Sequence, residues 1–237
     1  MTKQYPEMNQ ISKVFIERQG YTGPRPDILA LLPDAPKRVL DVGCGAGVLG
    51  LSIKEKWNDV RVVGLDNDSV LLSKAKKCVD QVYLVNLNDD DPLEILNSNE
   101  KFDVIIFADI LEHLIEPKQL LESSKRFLSE GGCIITSLPN VRHYSTIFSL
   151  CFLGVWPQRD RGIHDRTHLC FFTQKNMIEL FEDCGLRSVK EKRNVRLVES
   201  LPWTNIPGKA FDFWPFRGFL TFQYLYVLVT DGAPVFE

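Results

Sequence analysis

The segment Asp41-Val42-Gly43-Cys44-Gly45-Ala46-Gly47 directly follows the apolar start Arg38-Val39-Leu40. An acid at a strand end with glycines at every second position after it suits a backbone that turns tightly and passes close to a ligand. Glycine supplies the positive φ such a turn needs and leaves no Cβ in the way. Arg61-Val62-Val63-Gly64-Leu65-Asp66 reads as a second strand ending in an acid, with Asn67 beside it. A carboxylate there is suited to both hydroxyls of a ribose, so the first inference is a nucleotide-like cofactor. A dinucleotide turn needs Gly-x-Gly-x-x-Gly where the strand stops, so that a pyrophosphate rests on the helix N-terminus. That string occurs as Gly45-Ala46-Gly47-Val48-Leu49-Gly50, two residues too late. The better-placed acid-x-Gly-x-Gly-x-Gly suits a ligand carrying an amino acid and a ribose.

A second set of candidates could move protons. Asp109-Ile110-Leu111-Glu112-His113 puts Asp109, Glu112 and His113 on one face if the segment is a helical turn. Far along the chain comes His164-Asp165-Arg166-Thr167-His168, so that these two clusters hold three of the four histidines. Neutral imidazole is suited to taking a proton near pH 7, which makes His113 and His168, with Asp109, the catalytic candidates.

Alternating strands and helices from about Lys37 to Thr136 must position these groups, and they predict a parallel sheet covered by helices on both faces. Strands are expected to end at Asp41 and Asp66 and to cover Val82–Val85, Phe102–Phe107 and Cys133–Ser137. The last two are expected over about Arg187–Lys192 and Phe222–Thr230. Helices are expected from about Val48 to Trp57, from Ser69 to Cys78 and over 118–128. The last of these has Pro117 near its start and Gly131-Gly132 after its end. Thr173 reads as the N-cap of a helix that runs to Cys184 and is stopped by Gly185. Two stretches, 140–172 and 196–218, fit no regular element and are rich in aromatic residues. They are read as lid loops walling an acceptor, or as a hydrophobic cover or dimer surface. Residues 1–36 are taken as an N-terminal helical segment of a single domain spanning 1–237.

In the glycine turn and Asp66 the sequence resembles motif I of the class I S-adenosylmethionine-dependent methyltransferases. The resemblance implies a Rossmann-like α/β fold: a doubly wound seven-strand sheet with the last strand antiparallel and aromatic lid insertions. It implies that S-adenosylmethionine is the cofactor and S-adenosylhomocysteine its product. Gly43, Gly45 and Gly47 would admit the methionyl part, Asp41 would shape the turn, and Asp66 with Asn67 would take the ribose. Asn86 would meet the adenine, with Leu87 over the ring, where such enzymes often carry an acid instead. Asp109 is assigned to both the cofactor and the acceptor side.

Asp109-x-x-Glu112-His113 is similar to the Glu-x-x-Glu-His element with which ubiquinone-pathway O-methyltransferases and small-RNA 3′-end methyltransferases bind a divalent metal. The latter add a downstream histidine, for which His168 is the counterpart. No metal is expected here; Asp109, Glu112, His113 and His168 form the alternative in which one is bound. The stretch Arg38–Leu186 resembles small-molecule methyltransferases of the MetW-like and ubiquinone types. Ser137-Leu138-Pro139-Asn140-Val141-Arg142-His143, Gly162–His168 and Phe171-Phe172-Thr173 are similar to methyltransferases associated with bacterial polysaccharide synthesis. The expected reaction is O-methylation of a sugar or glycan hydroxyl. Alternatives are a phenolic or quinol-like acceptor, a non-catalytic partner protein of the same fold, and, disfavoured by the glycine register, an oxidoreductase.

The 237 residues are 44% hydrophobic and 25% charged, the balance of an ordinary globular protein. A net charge of -3 without long basic runs argues against an electrostatic nucleic-acid binder. The six cysteines form no Cys-x-x-Cys pair, and most are expected to be small buried hydrophobes in a reducing cytoplasm. No apolar run approaches the ~20 residues of a membrane span, and a homodimer is compatible with the aromatic stretches.

Overall fold

The computed structural model describes residues 23–196 and 216–232. Its seven strands form one sheet in the order β3-β2-β1-β4-β5-β7-β6. They are β1 Arg38–Val42, β2 Arg61–Asp66, β3 Gln81–Leu84, β4 Phe102–Ala108, β5 Leu128–Pro139, β6 Leu186–Val195 and β7 Thr221–Thr230. The helices are α1 Pro26–Leu29, α2 Val48–Lys56, α3 Ser69–Ala75, α4 Pro117–Ser124, α5 Tyr144–Leu153, α6 Gln174–Asp183 and α7 Arg217–Leu220. Strand order and alternation are those expected of the doubly wound fold, with β6 and β7 antiparallel to one another.

The chain divides into two compact units, 1–108 with 122–135 and 109–121 with 136–237. In the first, β1 pairs in parallel with β2 and β4, Leu40 lying opposite Val63 on one side and Ile105 on the other. Val39, Leu40, Val62, Val63, Ile105 and Ile106 are fully buried, as both-faced burial of a parallel sheet requires. β5 starts five residues earlier than expected, and Gly131 and Gly132 lie inside it rather than before it. A Cβ on Gly132 would meet the carbonyl oxygens of Phe102 at 3.0 Å and Ser129 at 3.1 Å, so glycine here answers crowding instead of stopping a helix. The preceding helix ends at Ser124 and tightens into a 3-10 turn over Lys125–Phe127.

In the second unit, α6 begins as the sequence predicts: Thr173 and Asn176 form a reciprocal capping box, and Gly185 closes the helix at φ 65°. β7 is buried along almost its whole length, and Phe181 packs edge-on against Tyr226 at 5.3 Å. One expectation is corrected here. The 140–172 stretch contains a regular helix, α5, capped at its N-terminus by the imidazole of His143 and closed by Gly154 at φ 64°. Most of the other stretch, and residues 1–22 of the expected N-terminal helical segment, lie outside the described residues. Six free cysteines are described, of which Cys44, Cys78, Cys133 and Cys184 are buried. Among the described residues no helix is long and apolar enough to cross a membrane.

Candidate active site

In the first unit, Gly43, Gly45 and Gly47 all have positive φ, at 78°, 53° and 78°. The turn is held by backbone: the amides of Gly43 and Cys44 both donate to the carbonyl of Leu65, at 2.8 and 2.9 Å. Asp66 stitches it from the side. Its Oδ2 accepts from the amide of Gly45 at 2.7 Å, and its Oδ1 from the amide of Asp68 at 2.9 Å. Asp68 in turn caps α3, accepting from the amides of Val70 and Leu71.

The glycines differ in what they permit. A Cβ on Gly47 would stand 2.9 Å from Ala75 Cα, and one on Gly50 would stand 2.4 Å from Val79 Cγ1, so both glycines serve close packing of α2. A Cβ on Gly45 would meet nothing within 4 Å. Gly45 therefore presents bare backbone to open space beside the half-buried carboxylate of Asp66, which fits a cofactor with a hydroxylated ring and a chain to be threaded past the turn. Asp41 is buried beneath, its carboxyl pushed up to about 7 by burial and by the charge of Asp66, against the opposing pull of Arg25. Asn67 and Asn86 are exposed and Leu87 half-buried. The amide of Asn86 is used within its own turn, donating to Asp89 Oδ1 at 2.8 Å and accepting from the Asn88 amide at 3.2 Å.

In the second unit, Asp109 adopts a left-handed backbone, φ 57°, which is strained for a residue with a side chain. Its amide donates to the carbonyl of Ser137 at 3.2 Å, and its Oδ1 accepts from the Ser137 hydroxyl at 2.6 Å and from the Gln223 amide. Gln223 is itself fixed by Asn194, which donates to its Oε1 at 2.8 Å. These partners come from β5, β6 and β7 and were not assigned from sequence. The available signal for Gln223 was a polar side chain inside an apolar strand.

Leu111–His113 forms a single 3-10 turn that buries Glu112 and leaves His113 half-buried. The Glu112 carbonyl accepts from the amides of Leu169 and Cys170, which fastens the His164–His168 loop to it. Two oxygens of that loop then set the tautomers. Thr167 donates its hydroxyl to Asp165 Oδ1 at 2.6 Å, so its oxygen serves as acceptor for His113 Nδ1 at 3.1 Å. His168 Nδ1 lies 3.2 Å from the Ile163 carbonyl. Both imidazoles, when neutral, thus carry the proton on Nδ1 and present a lone pair at Nε2, an assignment made from these acceptors.

The two rings meet edge-on at 4.7 Å, and His168 Nε2 stands 4.0 Å from Glu112 Oε1. Burial and neighbouring His113 lower the pKa of His168, against the opposing pull of Asp165 and Asp109, and so favour its neutral form. Single donor atoms of Glu112, His113 and His168 all lie within 4.8 Å of one another, a mixed carboxylate and imidazole set that fits a divalent cation. Asp109, the fourth member of the expected alternative, lies outside this donor group and is held by Ser137 and Gln223. His164 and His143 play other parts. His164 is buried against Thr146 at 2.9 Å, with its pKa lowered to about 4 by burial and by Arg159, and His143 bonds the Arg196 carbonyl at 2.7 Å. An aromatic wall continues from the cluster: Phe171 lies 6.4 Å from His168 and Trp156 4.9 Å from Phe171, ring centre to ring centre.

Comparison with known proteins gives the family and the fold. A family described as a methyltransferase domain matches residues 16–191, most of the chain. The chain is 28% identical over 182 residues to a ubiquinone biosynthesis O-methyltransferase of Cereibacter sphaeroides, covering 75% of this chain and 71% of that one. Its fold is similar to an S-adenosylmethionine-dependent methyltransferase from Archaeoglobus fulgidus, with TM-score 0.61, 15% identity and coverage of 94% and 99%. It is also similar to a possible histamine N-methyltransferase from Thermotoga maritima, with TM-score 0.63, 14% identity and coverage of 94% and 96%. The glycine turn, the strand order and the family match converge: the chain belongs to the methyltransferase-domain family and is a class I enzyme that uses S-adenosylmethionine.

Proposed function

We propose that the enzyme methylates a hydroxyl oxygen of a small aromatic acceptor of phenolic or quinol type. The single observation that carries this reading is the pair of imidazoles whose Nδ1 atoms are tied to Thr167 and Ile163, leaving Nε2 as base. Bound S-adenosylmethionine supplies a methyl already activated by its sulfonium. The protein's tasks are then to hold the acceptor, exclude water and receive one proton. In the first unit Gly45 and Asp66 hold the cofactor. In the second, His113 or His168 takes the hydroxyl proton at Nε2, and Asp165 through Thr167 steadies the imidazolium of His113.

The acid strength of the acceptor separates the two hydroxyl classes. A phenol ionises near pH ~10, within reach of an imidazole base, whereas an alcohol hydroxyl is several units weaker as an acid. The aromatic pair Trp156 and Phe171 suits a flat ring better than a sugar. The ubiquinone-pathway relative, whose name states an O-methyltransferase, supports the same class. The test is methyl transfer to simple catechols and hydroquinones beside methyl glycosides, with the methylated atom identified in the product. Turnover on catechols with the methyl on oxygen is expected. Turnover on glycosides alone would move the acceptor class to sugars, and turnover on amines alone would overturn O-methylation.

A second reading is favoured by the three donor atoms within 4.8 Å: Glu112, His113 and His168 hold a divalent cation that lowers the acceptor's pKa. Calorimetric titration of the chelator-treated protein with magnesium or zinc tests it directly. Binding that disappears in His168→Ala supports this reading, and no binding rejects it.

A further inference from the structure

The helix α5 is unlike the other helices in what it leaves in water. From Tyr144 to Pro157 the chain carries no charged residue. Such a run belongs in a core or a bilayer. Yet Phe148 is 51% exposed, Phe152 75% and Leu153 59%, and Leu150, Val155 and Trp156 are exposed with them. At about 100° per residue, Ile147, Phe148, Leu150, Phe152 and Leu153 project all round the axis instead of along one stripe. Thr146 is the buried residue of this helix, tied to His164.

We propose that α5 and the following Val155–Trp156 dock the enzyme on an anionic membrane surface, with the helix lying in the interface. Three observations choose a bilayer over a second copy of the chain. An apolar run of this length, about 10–14 residues, is too short to span but suits an interfacial segment. The flanks are basic although the chain is net negative at -3: Arg142, Arg159, Arg161 and Arg166 are exposed, against one exposed acid, Asp160, which pairs with Arg166 at 2.7 Å. Arginines beside an inserted helix meet lipid phosphates while their stems lie along apolar surface. Trp156 stands at the C-terminal end, where an amphipathic ring suits the headgroup level.

The test is co-sedimentation of the full chain with phosphatidylcholine vesicles, with and without phosphatidylglycerol. Partition onto the anionic vesicles is expected, weakened by molar salt and by Arg159→Glu with Arg161→Glu. Phe148→Ser with Phe152→Ser should lower it by about tenfold or more, and Phe152→Leu should retain it. All these side chains are exposed, and a circular dichroism spectrum and thermal melt matching the parent protein certify each variant as folded. No partition of the parent protein, or equal partition of the double serine variant, overturns the proposal. So does a concentration-dependent dimer, seen by ultracentrifugation without vesicle binding, that the serine substitutions abolish; the face would then belong to a second copy.

Discussion

Around Gly45 the hydrogen bonds run mainly between backbone groups and one carboxylate, Asp66, 21 residues away. Around His113 they run between side chains, and the partner that sets its tautomer, Thr167, is 54 residues away. The first site is a shape made by positive φ angles; the second is a network whose members have ordinary conformations except Asp109. A backbone site tolerates few substitutions at its glycines but needs few partners. A side-chain site tolerates many substitutions around it and fails when one polar member is removed.

The largest effect expected from this contrast is on turnover. His113→Ala and His168→Ala should each lower kcat by roughly 10²–10⁴ if that residue is the base. Calorimetry with S-adenosylhomocysteine should read an unchanged affinity, because the proposed cofactor site, Gly45 with Asp66, belongs to the other unit. Equal losses of turnover and cofactor affinity would break the division of labour.

Gly47→Ala should come next, costing about 2–4 kcal/mol of stability through a left-handed backbone and a contact with Ala75 Cα. Gly45→Ala meets no such contact, so denaturant unfolding should show a smaller loss while cofactor affinity falls. The reverse ranking would mean that packing and ligand approach have been assigned to the wrong glycines.

Asp66→Asn should weaken S-adenosylhomocysteine by about 1–3 kcal/mol, since a charge-assisted acceptor is lost and the Gly45 amide loses a strong partner. Unchanged affinity would remove Asp66 from the cofactor site.

The smallest effect sharpens the comparison by sign. Asp41 is held near 7 in the folded chain against 3.8 unfolded, so its contribution is full at low pH and is lost as pH rises through about 7. His164 is held near 4 against 6.5, so the unfolded chain takes up a proton first, and stability is lost as pH falls from 6.5 toward about 4. Thermal melts across this range should show Asp41→Asn gaining most on the alkaline side, and His164→Gln flattening the acid side. A uniform gain for Asp41→Asn at every pH would show that its burial carries no titration.

How far each region could be read follows from the same contrast. The glycine turn is a contiguous pattern whose residue types are demanded by local backbone geometry, so Asp41 to Gly47 and Asp66 stood out in the string. The Thr173 cap and the Gly185 stop were legible for that reason too. The imidazole cluster was half legible: His113 and His168 could be named as candidates, but Thr167 and Ile163, which fix their protons, and Gln223 and Asn194, which hold Asp109, could not. Nothing local requires those residue types at those positions.

By itself the sequence determined the seven strands, the helices α2, α3, α4 and α6 and the glycine turn, though not α5, because hydrophobic period, glycine and proline act within a few residues. Tertiary structure alone decided that Gly131 and Gly132 enter β5 under crowding carbonyls. It also decided that Asp109 joins Ser137 and Gln223 instead of the Glu112 donor group. Two apolar helices show the physical reason most plainly. Val48 to Lys54 of α2 are all buried, while Phe148, Phe152 and Leu153 of α5 face outward. Composition states a preference for leaving water, and only the packing of distant segments supplies the surface that satisfies it.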